Sequence, residues 1–162
     1  MATQSFQRIL ELLEAHGVEY IVVGGVAAVL RGAPVTTFDI DALVNTDQQN
    51  AERLLAALHA LNARYREHVG KMRPTIEDII AGGHLLLMTD SGPLDVLGHL
   101  MDGKRYEDMT QRSSRLSIGD LTIQVLELDA LLQEKQALGR PKDRAIAELL
   151  QELLERERPD EK

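Results

Sequence analysis

Residues 20–45 read YIVVGGVAAVLRGAPVTTFDIDALVN, and the rest of the predicted molecule is organised around them. The nearly continuous apolar run over residues 18–23 is rich in β-branched side chains, which is typical of a strand covered on both faces. Gly24 and Gly25 end that strand. The small residues that follow favour a short helix over residues 26–31. The stretch is therefore predicted to begin as a strand, turn at a glycine pair and continue as a helix.

The second half of the stretch places two carboxylates on one predicted strand. Apolar residues alternate with Asp39 and Asp41, which is strand periodicity. Side chains two residues apart on a strand point the same way and lie about 6.6 to 7 Å apart, so the pair can bind divalent ions from one side. Oxygen ligands without neighbouring Cys or His favour magnesium or manganese over zinc. A solvated strand face is the alternative interpretation, and the pair alone does not decide between the two.

The glycine pair also has two interpretations. Gly24 and Gly25 stand at a strand-to-helix junction, where exposed backbone N–H groups attract a phosphate. A simple turn is the alternative. Thirteen residues, 26–38, separate the glycines from Asp39, and both motifs are predicted at strand ends. A triphosphate held at the glycines can then share its metal with the aspartates.

Length, composition and charge limit the class of protein. With 162 residues, 44% of them hydrophobic, the chain is long enough for one well-packed domain. The formal charge of -8 excludes a continuous basic face for long duplex nucleic acid, and 3% aromatic residues disfavour stacking on single strands. The sequence has no Cys and no apolar run approaching the roughly 18 residues of a membrane span. We therefore expect a cytoplasmic protein without disulfides or a membrane segment.

Hydrophobic periodicity and turn residues predict the remaining elements. Two of them are hairpins, and the last two are helices at the C-terminal end. The predicted elements are a helix over 5–15, a helix through Leu61 capped by Thr46, an edge strand or loop over 64–68, helical turns over 75–81, hairpin strands over 84–89 and 93–100, a second hairpin over 116–126, a helix from Ala130 capped by Asp129, and a final helix opened by Pro141.

The central stretch resembles the nucleotidyltransferase superfamily that includes DNA polymerase beta and kanamycin nucleotidyltransferase. The family pattern is a hydrophobic residue, Gly-Gly or Gly-Ser, a spacer, and then Asp-hydrophobic-Asp-hydrophobic. Here it reads Val-Gly-Gly ending at Gly25, thirteen residues, and Asp-Ile-Asp-Ala starting at Asp39. The family's third carboxylate lies on a later apolar strand, and Asp95 within Leu-Asp-Val-Leu is similar to it. From its sequence context alone, Asp95 is equally well a turn or strand-end charge.

The similarity is greatest to a subgroup of small stand-alone prokaryotic nucleotidyltransferases related to abortive-infection toxin nucleotidyltransferases. These have a Gly-Gly-x-Ala start and a Thr-x-Asp-x-Asp strand, which here begins at Thr37. Their C-terminal Lys and Arg-x-Lys-Asp segment resembles Lys135 and the segment from Arg140 to Asp143. Many members carry Arg two residues before the Thr, where this chain has Val35. A solvated helix start is the alternative interpretation of the basic C-terminal segment.

This resemblance implies an α+β nucleotidyltransferase fold, in which helices pack on a mixed β-sheet and a C-terminal helical segment follows. Residues 1–127 would form the core, and residues 128–162 would form helices packed on it or extending it. The implied reaction is a metal-dependent transfer of a nucleoside monophosphate from an NTP, such as ATP, to a hydroxyl of a small molecule, a protein or an RNA end. The implied metal and catalytic residues, for Mg²⁺ or Mn²⁺, are Asp39, Asp41 and Asp95, and the implied phosphate-binding residues are Gly24, Gly25, Thr37, Lys135, Arg140 and Lys142.

A second hypothesis is a regulatory or antitoxin-type binding protein that keeps the fold with little or no catalysis, acting through a protein partner or as a homodimer. Val35 in place of a basic residue and the small size of the chain favour it. The three aspartates oppose it, because three converging charges repel one another without a metal. We expect Arg31 to serve as a turn or strand residue or to reach a phosphate, and we expect His84 and His99 to be structural.

Overall fold

A seven-stranded mixed sheet with helices packed on it forms the framework of the molecule. The computed structural model describes residues 2–37, 39–67 and 72–157. The strands are β1 Tyr20–Val23, β2 Ile40–Val44, β3 Arg64–Tyr65, β4 His84–Thr89, β5 Gly92–Leu97, β6 Ser113–Ile118 and β7 Leu121–Leu126. The helices are α1 Ala2–Ala15, α2 Gly24–Leu30, α3 Gln48–Ala60, α4 Ile76–Ile80, α5 Tyr106–Met109, α6 Leu128–Leu138 and α7 Pro141–Glu157, and a 3₁₀ turn follows α5.

Strand order determines which side chains meet. The sheet runs β3-β4-β5-β2-β1-β7-β6, so the two hairpins predicted from the sequence form its two sides. In the middle, β1 pairs antiparallel with β2, and β2 pairs in parallel with β5. That parallel register sets Asp41 directly opposite Asp95. Paired residues share a face of the sheet, so two carboxylates from distant parts of the chain become neighbours.

The central strands are apolar because both of their faces are covered. Every residue of β1 is buried, as the absence of polar alternation in residues 20–23 predicts. The helices contribute the other half of the same core. Side chains with no solvent exposure include Ile9, Leu13, Ile21, Ile40, Leu43, Leu54, Leu58, Leu94, Ile123, Leu131 and Leu150. None of the helices within the described residues is both long and apolar enough to cross a membrane.

Most predicted elements are confirmed, and the differences lie at their ends. The second strand of the central stretch begins at Ile40, so Asp39 precedes the strand instead of lying within it. Thr46 was the wrong cap for α3: Asp47 accepts the backbone N–H of Asn50 at 2.8 Å. A carboxylate is a stronger acceptor than a hydroxyl at the positive end of a helix.

At the start of α6 the predicted cap was also wrong. The helix begins at Leu128, with Glu127 in the cap position, so Asp129 falls within the first turn. Burial of Leu128 accounts for the earlier start, because the helix places that side chain in the core. Of the two alternatives predicted for residues 64–68, the structure has the edge strand, which ends at Tyr65. His68 lies outside the described residues.

The two C-terminal helices are joined to the rest of the fold by buried leucines and by one buried carboxylate. Leu131 and Leu150 have no solvent exposure, and both belong to the single core cluster. Asp143, also fully buried, accepts from the Arg140 guanidinium, and its Oδ1 lies 3.7 Å from the Lys135 Nζ. Hydrogen bonding by Arg140 and the charge of Lys135 hold the pKa of Asp143 below its ordinary value. This cluster fixes the corner between α6 and α7.

We expect Asp143→Asn to lower the free energy of unfolding by roughly 2 to 4 kcal/mol, because it leaves Lys135, only 12% exposed, without its counter-charge. Denaturant unfolding at neutral pH measures the change. The matched control is Asp129→Asn on α6, where the carboxylate is 60% exposed and lies 3.6 Å from Arg112; its effect should stay within about 0.5 kcal/mol. Equal effects of the two substitutions would contradict the structural role of Asp143.

Candidate active site

Gly24 is in contact with the first carboxylate of the site. It has φ +67°, and a Cβ added to it would lie 2.1 Å from Oδ2 of Asp41. Only a residue without a side chain leaves room for that carboxylate, and the left-handed backbone favours glycine independently. The strand-to-helix turn and the aspartate strand are therefore in direct contact.

Gly25 contacts the residue that precedes the aspartates in a similar way. A Cβ on Gly25 would lie 2.7 Å from Oγ1 of Thr37. The Thr37 hydroxyl is 3.4 Å from the backbone oxygen of Asp39, which it approaches as a donor. Thr37 and Asp39 are both partly exposed. Gly24 itself is buried and Gly25 is partly exposed, so Gly25 and Thr37 border the solvent-accessible side of the site.

Asp41 and Asp95 form a hydrogen-bonded carboxyl pair across the parallel strands. Burial raises the pKa of Asp41 to about 8, and the charge and hydrogen bond of Asp95 and the charge of Asp39 add to the shift. Neighbouring carboxylates repel each other when both are ionised, which favours a proton on Asp41 in the metal-free enzyme. A divalent cation would relieve the same repulsion in place of the proton.

Arg66 is a site residue that the sequence did not indicate. Its Nη2 lies 2.7 Å from Oδ1 of Asp95, and its Nη1 donates to the backbone oxygen of Leu87 at 3.0 Å. Both ends of the ion pair are largely shielded from solvent, with side-chain exposures of 22% for Arg66 and 16% for Asp95. Arg66 directly follows a two-residue strand in a segment without clear periodicity, so no local pattern links it to Asp95.

Glu134 is a second residue missed from the sequence. Burial raises its pKa, and its charge raises the pKa of Asp41, so α6 brings a fourth carboxylate into the electrostatic surroundings of the site. Its Oε2 is buried and has no hydrogen-bond partner among the described residues. In the sequence it lies between Gln133 and Lys135, and a glutamate between two polar residues is expected to face solvent.

The predicted basic residues make other contacts. Lys135 and Arg140 pair with Asp143, and Lys142 is exposed at the start of α7. Arg31 donates to the backbone oxygens of Val125 and Leu126 at 2.8 and 3.1 Å and to the Ser114 hydroxyl, so it joins α2 to the β6–β7 hairpin.

The remaining residues singled out from the sequence are structural. Val35 packs against the core. The rings of His84 and His99 lie 4.7 Å apart, and both rings hydrogen-bond to backbone oxygens, as expected of structural histidines.

The carboxylates of the site suit a hard divalent cation, although the described side chains do not form a complete set of metal ligands. Among residues 2–37, 39–67 and 72–157, no group of three or more His, Cys, Asp or Glu side chains has metal-binding geometry. The carboxylates of Asp41 and Asp95 instead form a pair on adjacent strands, and the glycine at position 24 leaves room for the carboxylate of Asp41. Carboxylate oxygens are the ligands that Mg²⁺ and Mn²⁺ prefer, so the residues present fit such an ion once Asp41 is deprotonated.

A mixed sheet of this order, with a glycine pair against an aspartate strand and a third aspartate on the adjacent parallel strand, defines a nucleotidyltransferase. The chain belongs to the aminoglycoside-2''-adenylyltransferase family, whose sequence pattern matches residues 5–149. It is therefore an enzyme of the nucleotidyltransferase type, and the regulatory hypothesis is not favoured. In sequence, the chain matches no curated protein.

Solved structures with the same fold cover nearly the whole chain. The lincosamide antibiotic adenylyltransferase LnuA with bound lincomycin is 20% identical, with a TM-score of 0.64, and the match covers 93% of this chain and 96% of LnuA. ANT(2'')-Ia in complex with adenylyl-2''-tobramycin is 16% identical, with a TM-score of 0.61 and coverage of 94% and 88%. TM1012 from Thermotoga maritima is 21% identical, with a TM-score of 0.59 and coverage of 94% and 92%. At these identities the likeness establishes the fold.

We expect Gly24→Ala to weaken Mn²⁺ binding by roughly 10- to 100-fold, because the added methyl displaces the Asp41 carboxylate. The matched control is Gly32→Ala, which also has a left-handed backbone, φ +99°, but opens onto empty space. Both substitutions should lower the free energy of unfolding by about 1 to 2 kcal/mol from backbone strain. Calorimetric Mn²⁺ titration separates them, and equal Mn²⁺ affinities would show that Asp41 does not bind the ion.

Proposed function

We propose that this enzyme transfers AMP from ATP to a hydroxyl of a small-molecule acceptor, using a divalent metal held by Asp39, Asp41 and Asp95. The observation that carries the proposal is the Asp41–Asp95 pair set against Gly24, where glycine backbone and carboxylate oxygens meet at one surface. Phosphoryl transfer is catalysed mainly by positioning and charge neutralisation, which is what such a surface offers.

The family and the structural neighbours support the choice of nucleotide and acceptor class. Adenylyl transfer is the activity in the family's description, and LnuA and ANT(2'')-Ia are adenylyltransferase structures with lincomycin and adenylyl-2''-tobramycin bound. Lincomycin and the tobramycin part of adenylyl-2''-tobramycin are both small molecules. The net charge of -8 gives no general attraction for RNA, so an RNA end is a weaker candidate for the acceptor.

In this mechanism the chain's own residues bind and orient the reactants. The backbone at Gly24 and Gly25, with the Thr37 hydroxyl beside it, receives the phosphates. Asp39 and Asp41 hold the metal, which when bound neutralises charge on the phosphates and the departing pyrophosphate. The acceptor oxygen bonds to the α-phosphorus as the bond to pyrophosphate breaks. Asp95 completes the metal site or takes the hydroxyl proton.

The C-terminal basic residues have a smaller part in this proposal than the sequence implied. Lys135 and Arg140 are committed to Asp143, which is fully buried. Lys142 is exposed, so it remains available to a phosphate at the surface.

The experiment is incubation with ATP labelled at the α-phosphorus, Mg²⁺ or Mn²⁺, and panels of hydroxyl-bearing small molecules, total RNA and cell protein. We expect a small molecule to gain the label and the mass of AMP, and the Asp41→Asn variant to transfer none. Label found only on RNA or protein would overturn the acceptor class. Absence of transfer to any acceptor, together with absence of metal-dependent ATP binding, would overturn the function.

A further inference from the structure

Arg66 reaches the site from the far side of a neighbouring hairpin. Its backbone N–H donates to Leu86 at 3.1 Å, and Leu86 lies opposite Asp95 across β4 and β5. The guanidinium is held at two points, by the Leu87 backbone oxygen at 3.0 Å and by Asp95 at 2.7 Å. The Arg66 side chain is held by its backbone and by its guanidinium, and 22% of its surface is exposed. It therefore places one positive charge beside Asp95.

Of the other basic residues considered for this site, Lys142 is exposed at the surface, and the remaining three make contacts elsewhere. Lys135 and Arg140 pair with Asp143, and Arg31 is bound to the β6–β7 hairpin. Residues 33–44, which carry the aspartates, contain no Lys or Arg. Among the ion pairs of the described residues, the pair between Arg66 and Asp95 is the one that involves a proposed metal ligand.

We propose that Arg66 is the nucleotide-phosphate ligand of this site, held by Asp95 in the free enzyme and passed to a phosphate oxygen when Asp95 turns to the metal. The inference rests on the proposed function. A guanidinium matches a phosphate as well as a carboxylate, and a triphosphate carries more charge than one aspartate. Because Nη1 keeps its bond to the Leu87 backbone oxygen, only the partner of Nη2 has to change.

The exchange separates the effect of Arg66 on nucleotide binding from its effect on metal binding. Loss of one charge-assisted contact should weaken nucleotide binding by roughly 10- to 100-fold. Loss of a cation beside Asp95 removes repulsion toward a divalent ion, so metal binding without nucleotide should be as tight as before or tighter. A residue that merely positioned Asp95 would instead weaken both.

The test compares Arg66→Gln with Arg64→Gln. Arg64 lies two residues earlier, and its guanidinium pairs at 3.5 Å with Asp90, which is 66% exposed, so it controls for loss of a charge at this edge of the sheet. Calorimetry measures binding of Mn²⁺ alone and then of the α,β-methylene analogue of ATP with Mn²⁺ present. We expect Arg66→Gln to bind the analogue at least tenfold more weakly than Arg64→Gln, with Mn²⁺ binding undiminished.

Three outcomes would overturn the inference: equal analogue affinities in the two variants, a parallel loss of Mn²⁺ affinity in Arg66→Gln, or a wild-type enzyme that binds no analogue. The last contradicts the proposed function as well, whereas the first two leave it standing. If Arg66→Gln does not fold, Arg66→Lys is the variant to measure, because lysine keeps the positive charge but lacks the planar guanidinium. Its analogue affinity should fall below that of Arg64→Gln, and equality with that control would overturn the inference.

Discussion

Replacing Asp41 with Asn is expected to lower the rate of AMP transfer by roughly 10³-fold and to leave the fold intact. Asp41 contacts Gly24, hydrogen-bonds to Asp95 and is affected by the charge of Asp39, so it is the centre of the carboxylate cluster. An amide preserves its shape and can still donate a hydrogen bond to Asp95. It removes the negative charge that a metal requires, which separates the loss of chemistry from loss of structure.

Steady-state transfer of labelled AMP measures the effect, and circular dichroism checks the fold. Asp120→Asn is the control, since Asp120 is exposed in the β6–β7 turn and its loss changes net charge equally. We expect that variant to retain wild-type activity. An Asp41→Asn enzyme within tenfold of wild type would contradict the assignment of Asp41 as a metal ligand.

The free energy of unfolding of the metal-free enzyme should fall as pH rises from about 4 to about 8. The pKa of Asp41 is about 8 in the folded protein, against 3.8 for an ordinary aspartate, so over this range the folded state holds a proton that the unfolded chain has released. Stability falls with pH wherever the folded state binds more protons, by up to about 1.4 kcal/mol per pH unit for one group. Mg²⁺ should reverse the fall, because it replaces that proton.

Other shifted carboxyls do not cancel this trend. The pKa values of Asp78 and Asp143 are lowered. The stability that these two residues contribute is therefore fully present above the pKa of an ordinary aspartate, and it is lost only as the pH falls below that value. The pKa of Glu134 is raised and acts in the same direction as that of Asp41.

Urea unfolding at several pH values, with EDTA or with MgCl₂, measures the trend, and Asp41→Asn isolates the contribution of that residue. The variant in EDTA should lose less stability between pH 5 and pH 8 than the wild type, by roughly 2 kcal/mol or more. Parallel curves for the two proteins would contradict the raised pKa of Asp41.

The sequence was sufficient wherever a contact follows from periodicity and strand pairing. The first strand and the short helix after it follow from their residue types. Asp95 was placed beside the aspartate strand only through the family resemblance, and the parallel pairing of the two strands sets it opposite Asp41. The caps of α3 and α6 were misplaced by a residue or two, since neighbouring polar residues have similar capping propensities. Burial of Asn50 and Leu128, which depends on the tertiary fold, decides between them.

Contacts that cross the sheet without a local pattern could not be predicted. Arg66 reaches Asp95 past an intervening strand, and nothing in its own segment indicates a partner. Glu134 is partly buried because α6 packs against α2 and α7, which its own segment does not indicate. The spacing of Lys135 and Arg140 suits a phosphate and a buried carboxylate equally, and in this molecule the carboxylate of Asp143 is their partner.

The proposed function requires Asp39 and Asp41 to hold a divalent ion beside the glycine turn. A crystal structure with Mn²⁺ and the α,β-methylene analogue of ATP tests it most directly, through the anomalous signal of manganese. We expect manganese within roughly 2 Å of oxygens of Asp39 and Asp41, with phosphate oxygens against the backbone of Gly24 and Gly25. Manganese bound elsewhere, or a nucleotide placed away from the glycines, would contradict it.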